Sequence, residues 1–101
     1  MIIYNVTVKV APEIEEDWVA WMKAIHIPDV MDTGMFLDHK FCRVMNFKEK
    51  DGATYAIQYF CESTSVLHKY QVQFAPELQA EHVKRYGEKA LAFRTLLEVI
   101  E

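Results

Sequence analysis

The sequence predicts an α+β fold, a four-stranded antiparallel sheet with its helices on one face. Three observations predict it. Residues 2–10 alternate with the two-residue period of a strand. Segments 12–26 and 64–86 repeat apolar residues at helical spacing. Between them lie two strand-like runs joined by a turn that ends in Asp51-Gly52. A chain of 101 residues is the size of one domain, taken here as 1–101.

Each element has its own reason. In "MIIYNVTVKV", Ile2, Tyr4, Val6, Val8 and Val10 share one face, while Ile3, Asn5, Thr7 and Lys9 share the other. "APEIEED" starts a helix. Pro12 suits the first helical position, and Glu13, Glu15, Glu16 and Asp17 sit where the helix dipole favours acids. Ile14, Trp18, Trp21, Met22 and Ile25 form its apolar stripe. Lys23 and His26 fall in the last turn, and Pro28 argues for a helix end at His26. "IPDVMDTG" then reads as one short turn of helix closed by Gly34.

Residues 35–47 read as the second strand and 53–61 as the third. A four-residue turn from Glu49 to Gly52 would pair Lys48 with Ala53 and Cys42 with Tyr59. Cys61 would then lie diagonal to Cys42, roughly 7–8 Å away and beyond disulfide reach. Two buried free thiols in a cytoplasmic protein are the expectation. "ESTS" offers hydroxyl caps for a helix over 64–74, striped by Val66, Leu67, Tyr70 and Phe74. Pro76 splits off another helix over 76–86, striped by Leu78, Val83 and Tyr86 and closed by Gly87. Residues 90–100 form the last strand.

The order β-α-β-β-α-(α)-β is the ferredoxin-like arrangement. Its open sheet face should read polar if water covers it. Here strand 35–47 carries Leu37, Phe41, Met45 and Phe47 on one face and Phe36, Cys42 and Val44 on the other. The last strand carries Phe93, Leu97 and Val99 against Ala92, Leu96 and Ile100. Strands apolar on both faces need covering on both. The composition, 51% hydrophobic, points the same way. A homodimer packed through the sheet face, with a shared barrel-like core, is the expected partner arrangement.

The blocks "MIIYNVTVKV", "WMKAIHIPDVMDTG", "TYAIQYF" and "LAFRTLLEVI" resemble a small family of uncharacterised bacterial proteins known only as a domain of unknown function. The resemblance spans nearly the whole chain. It implies membership of the dimeric α/β-barrel proteins. That group includes cofactor-independent antibiotic-biosynthesis monooxygenases, haem-degrading monooxygenases, muconolactone isomerases and ligand-binding regulatory domains. The resemblance therefore implies the fold and the dimer and supplies no reaction.

His26 is the candidate catalytic residue, a general acid or base at the mouth of a helix–sheet pocket. Its structural alternative is a helix-end imidazole bonded to last-turn carbonyls. Trp18, Trp21, Tyr59 and His68 are candidate pocket walls, with Tyr4 and Tyr70 beside them; tryptophans at helical spacing are equally a core signature. Arg94 shares a face with Ala92, Leu96 and Ile100. It reads either as an anchor for an anionic or carbonyl-bearing ligand or as the partner of Glu98 or of an acid on a second copy. His39, His68 and His82 show no HxH, HxxxH or HExxH spacing and read as surface histidines, so no metal is expected. A haem held by one histidine leaves no spacing signature, and no cofactor is expected. No GxSxG, phosphate loop or activated cysteine occurs.

The eleven Lys and Arg are scattered in a chain of net charge −4, which argues against nucleic acid. No apolar run approaches the ~20 residues of a membrane span, and the N-terminus does not read as a signal peptide. Two function classes remain. One is a small-molecule enzyme or binding protein with a pocket between helices and sheet. For a cofactor-free monooxygenase the substrate would be an electron-rich aromatic. The other is a non-catalytic dimeric regulatory or scaffolding module.

Overall fold

The computed structural model describes residues 1–45 and 52–101. Four strands, β1 (Ile2–Val10), β2 (Asp38–Arg43), β3 (Ala53–Cys61) and β4 (Ala90–Glu98), form one antiparallel sheet in the order β2-β3-β1-β4. Helices α1 (Glu15–Trp21), α2 (Ile27–Asp32), α3 (Thr64–Gln73) and α4 (Ala75–Tyr86) complete the ferredoxin-like fold. Alternation along the strands decides which face is buried. Tyr4, Val8 and Val10 of β1 and Tyr55, Ile57, Tyr59 and Cys61 of β3 pack under the helices around Trp18, which is fully buried.

Strands β1 and β3 and the split between α3 and α4 fall where the sequence pattern puts them. Ser63 caps α3 by accepting a hydrogen bond from Val66 N–H at 3.3 Å. Pro76 lies in the first turn of α4, where its missing N–H costs nothing. Gly52 enters β3 so close to β1 that a Cβ there would lie 2.0 Å from the Val10 carbonyl oxygen. Only glycine permits that approach.

The first helical segment differs from expectation. The chain does not leave the helix at His26. It runs from a 3₁₀ turn (Pro12–Ile14) through α1, widens to a π-helix over Met22–His26 and continues into α2. Ile27 N–H bonds the Met22 carbonyl, five residues back. The wider turn explains how the helix passes Pro28, whose ring in an α-helix would meet the Ala24 carbonyl. Gly34, with φ of 76°, then releases the chain towards β2.

β2 is shorter than residues 35–47, and its register is three residues from the predicted one. Cys42 pairs with Ala56, not Tyr59, and Phe41 pairs with Ile57. An odd shift exchanges the two faces of a strand. The observed register turns Phe41 inward, 5.6 Å from Trp18, and leaves Cys42 exposed. The expectation of two buried thiols holds only for Cys61; both cysteines are free. Most of the predicted turn, residues 48–51, lies outside the described residues. On α4 the apolar stripe also shifts, because Val83 is exposed and His82 is buried.

The sheet face away from the helices carries Leu91, Phe93 and Leu97 of β4, which are 49%, 65% and 40% exposed. Beside them β1 presents Ile3, Asn5, Thr7 and Lys9. Such an apolar strip next to a half-polar neighbour is not a surface that water covers without cost. Among the described residues no helix is long and apolar enough to cross a membrane.

Candidate functional site

The sheet and helices do not meet everywhere. The inward side chains of β4 begin with Ala90 and Ala92, which are too small to fill the space under α4. The gap is a chamber of about 30 Å³ floored by Val6, Val8, Ile57 and Ala92 and walled by His26 and His82. That volume holds one or two waters. A wider groove of about 400 Å³, bordered by Gln71, Ala75, Pro76 and Leu96, adjoins it. Tyr4, Gln79 and Arg94 belong to both.

Each polar group reaches the recess for a local reason. The π-turn adds width just before His26, and His26 stands in the chamber wall with its ring 5.8 Å from that of His82. His82 lies on the buried stripe of α4, seven residues from Ala75 and four from Tyr86. Trp18 Nε1–H donates to His82 Nε2 at 2.9 Å. A neutral His82 therefore carries its proton on Nδ1. Nδ1 of His26 is buried without a hydrogen-bond partner. The other such atom among the described residues is Nδ1 of His39, on the edge strand β2 and away from the recess.

Electrostatics keep both rings of the recess neutral at pH 7. Burial pushes the His26 imidazole down to about 4, and His82 and the positive charge of Arg94 add to the effect. Burial, then Arg94, lowers His82 in the same direction. Tyr59 and Tyr70, the aromatic part of the wall, are held protonated, chiefly by burial. Arg94 itself has no hydrogen bond or ion pair among the described residues. Salt bridges there join Arg43 to Glu15 and Arg85 to Asp17. The expected bridge from Arg94 to Glu98 is absent among the described residues.

The recess thus gathers five of the residues singled out from sequence, namely Tyr4, His26, Tyr59, Tyr70 and Arg94. Trp18 is core. Its ring packs against Tyr55 and Phe41, and only its N–H bears on the site, through His82. Trp21 backs the site from outside, 5.1 Å from His26 and 5.5 Å from Tyr86, with the Arg85 guanidinium 5.5 Å above its ring. His68 lies on the exposed side of α3, away from the others. His82, which reads from sequence as a surface residue, is the addition. Its spacing from Ala75 and Tyr86 is the available signal, and the hydrophobicity of Val83 masks it. Among the described residues no three His, Cys, Asp or Glu side chains form a metal-binding group.

A family model matches residues 1–100. The chain belongs to DUF4286, a domain of unknown function. No curated protein matches it. Solved structures with the same fold include a dimeric ferredoxin-like protein from an uncultured marine organism. That protein is 11% identical, with 99% of this chain and 95% of the other covered and a TM-score of 0.70. A point mutant of SnoaB of Streptomyces nogalater, a cofactor-independent oxygenase, is 11% identical over 99% of this chain and 94% of its own, with a TM-score of 0.65. A point mutant of MhuD, with two manganese protoporphyrin IX molecules bound per active site, is 17% identical over 98% and 95%, with a TM-score of 0.64. At these identities the likeness shows the fold alone.

Proposed function

We propose that this DUF4286 protein is a cytoplasmic homodimer that binds, and in one reading transforms, a small aromatic or carbonyl-bearing molecule in the recess between α4, the π-turn and the sheet. The observation that carries the reading is the buried, unpartnered Nδ1 of His26, on a ring that lines the chamber 5.8 Å from a second neutral imidazole. Leaving a buried ring nitrogen unpaired costs stability. A ligand hydroxyl or acidic C–H delivered there would meet a neutral ring nitrogen in a site with little water. SnoaB, which shares the fold, is a cofactor-independent oxygenase, and a reaction of that class in this recess would need no bound cofactor. The exposed Leu91, Phe93 and Leu97 support the dimer, and the free thiols fit a reducing compartment.

One observation favours the second reading, a non-catalytic dimeric module: the chamber is only about 30 Å³. A thermal-shift screen of aromatic carbonyl compounds against the wild type and His26→Ala separates the two. Under the first reading some compounds raise the melting temperature of the wild type and raise that of the variant less. If no compound moves the wild type and His26→Ala only lowers its melting temperature, the non-catalytic module stands. Sedimentation of the same samples should report two chains per particle.

A further inference from the structure

Among the described residues, the side chains lining the chamber and the groove include one permanent cation, Arg94, and no Asp or Glu. The chain has fifteen acids against eleven Lys and Arg, so acids are not scarce. Elsewhere they are placed against arginines, as Glu15 is against Arg43 and Asp17 against Arg85. In the recess they are withheld. Arg94 stands where the groove meets the chamber, and a guanidinium without a carboxylate there is half of an ion pair.

We infer that the recess takes its ligand as an organic anion, the oxyanion seated on Arg94, and that the His26–His82 pair takes up a proton as the anion binds. The inference rests on the reading of the recess as a ligand site. It adds the charge of the ligand and the proton that accompanies it. The ionisable groups around the two imidazoles are Tyr4 from β1, Tyr59 from β3, Tyr70 from α3 and Arg94 from β4. On its own helix His82 abuts Tyr86, whose hydroxyl is engaged by Asp17. Among the described residues the chamber therefore holds no carboxylate to supply or receive the proton, and Tyr59 and Tyr70 stay protonated. The imidazoles are the groups left to respond. In the free protein the Arg94 charge opposes their protonation. An anion on Arg94 cancels that opposition, so the complex binds protons more readily than the free protein does.

Benzenesulfonate is the probe, because it stays an anion across the whole pH range, and benzenesulfonamide is its neutral counterpart. Binding is read from histidine ring signals and calorimetry on the full chain. Benzenesulfonate should bind, should bind several-fold more tightly at about pH 5 than at about pH 7, and should shift the His26 signals. Arg94→Gln should weaken it by about tenfold or more while Arg94→Lys retains part of the affinity. Arg94 is exposed, so both variants should fold. Equal binding of the sulfonamide, with no pH dependence, would overturn the anion while leaving the recess a ligand site. Neither probe touching the His26 or Tyr70 signals would overturn both. Wild type indifferent to sulfonate, with Arg94→Gln dissociating into monomers, would assign the guanidinium to an acid of a second copy and end the inference.

Discussion

Two regions of this small protein use the same kinds of side chain in opposite ways. On the outer side of α1 lie two clasps of like composition. Tyr55 donates its hydroxyl to Glu15 and accepts from Arg43 at 2.8 Å. Tyr86 donates to Asp17 at 2.8 Å and accepts from Arg85 at 3.1 Å. In each, hydroxyl, acid and guanidinium satisfy one another, and the helix is tied at Glu15 to β2 and β3 and at Asp17 to α4. In the recess, neither Arg94 nor His26 Nδ1 has such a partner among the described residues. The comparison teaches that matched and unmatched polarity are kept apart. Where α1 needs holding, each group of the clasps is matched; where a ligand could enter, the matching groups are missing.

Trp18 touches both regions, so its variants should break the comparison most severely. Its ring centroid lies 5.0 Å from that of Tyr55, and its N–H reaches His82. Trp18→Ala should cost about 3–5 kcal/mol in a denaturant titration, the ordinary cost of emptying a large aromatic site. Trp18→Phe separates the two roles. It keeps an aromatic ring against Tyr55 and frees the His82 Nε2, so nitrogen-15 spectra should show His82 losing its fixed tautomer. An unchanged tautomer would mean that Trp18 does not organise the site.

Much of this is legible in the sequence, for physical reasons that can be named. β1 and β3 alternate cleanly, and Pro76 can occupy only a first turn, so their bounds follow. The π-turn does not, because Pro28 argues equally for a stop or a widening, and only packing decides. The register of β2 depends on a turn whose length the sequence does not encode, whereas the inward pull of Phe41 towards Trp18 does encode it. Alternation puts Arg94 on the helix side. Pairing it with Glu98 ignores strand geometry, since four residues of strand span about 13 Å. His82 is hidden by its more hydrophobic neighbour, Val83.

The recess should also carry most of the acid sensitivity. His26 is neutral in the folded protein down to about pH 4, whereas an unfolded histidine titrates near its ordinary 6.5. Between those values the unfolded state binds more protons, so stability falls as pH falls through that window. The loss should approach about 3 kcal/mol at the acid end. Denaturant titrations across the window should show this slope in the wild type and a shallower one in His26→Gln, with His82 supplying the remainder. Equal slopes would mean that the imidazole is not buried as the chamber places it.

The clasps supply the smallest and most discriminating effect. Tyr55→Phe and Tyr86→Phe each remove one hydroxyl and leave an acid and an arginine close enough to pair directly, so each should cost only about 1 kcal/mol. The two sites share no partner, and their effects should add in the double variant. Neither should alter the titration of His26, because neither hydroxyl contacts that ring. Tyr86 is the sharper case, since its ring lies 5.7 Å from His82. If Tyr86→Phe destabilises by that amount and leaves the histidine titrations unmoved, clasp and recess are independent in energy although they are neighbours in space. If it moves His82, the matched and unmatched regions are one network, and the polarity of the recess is held in place by the same contacts that hold α1.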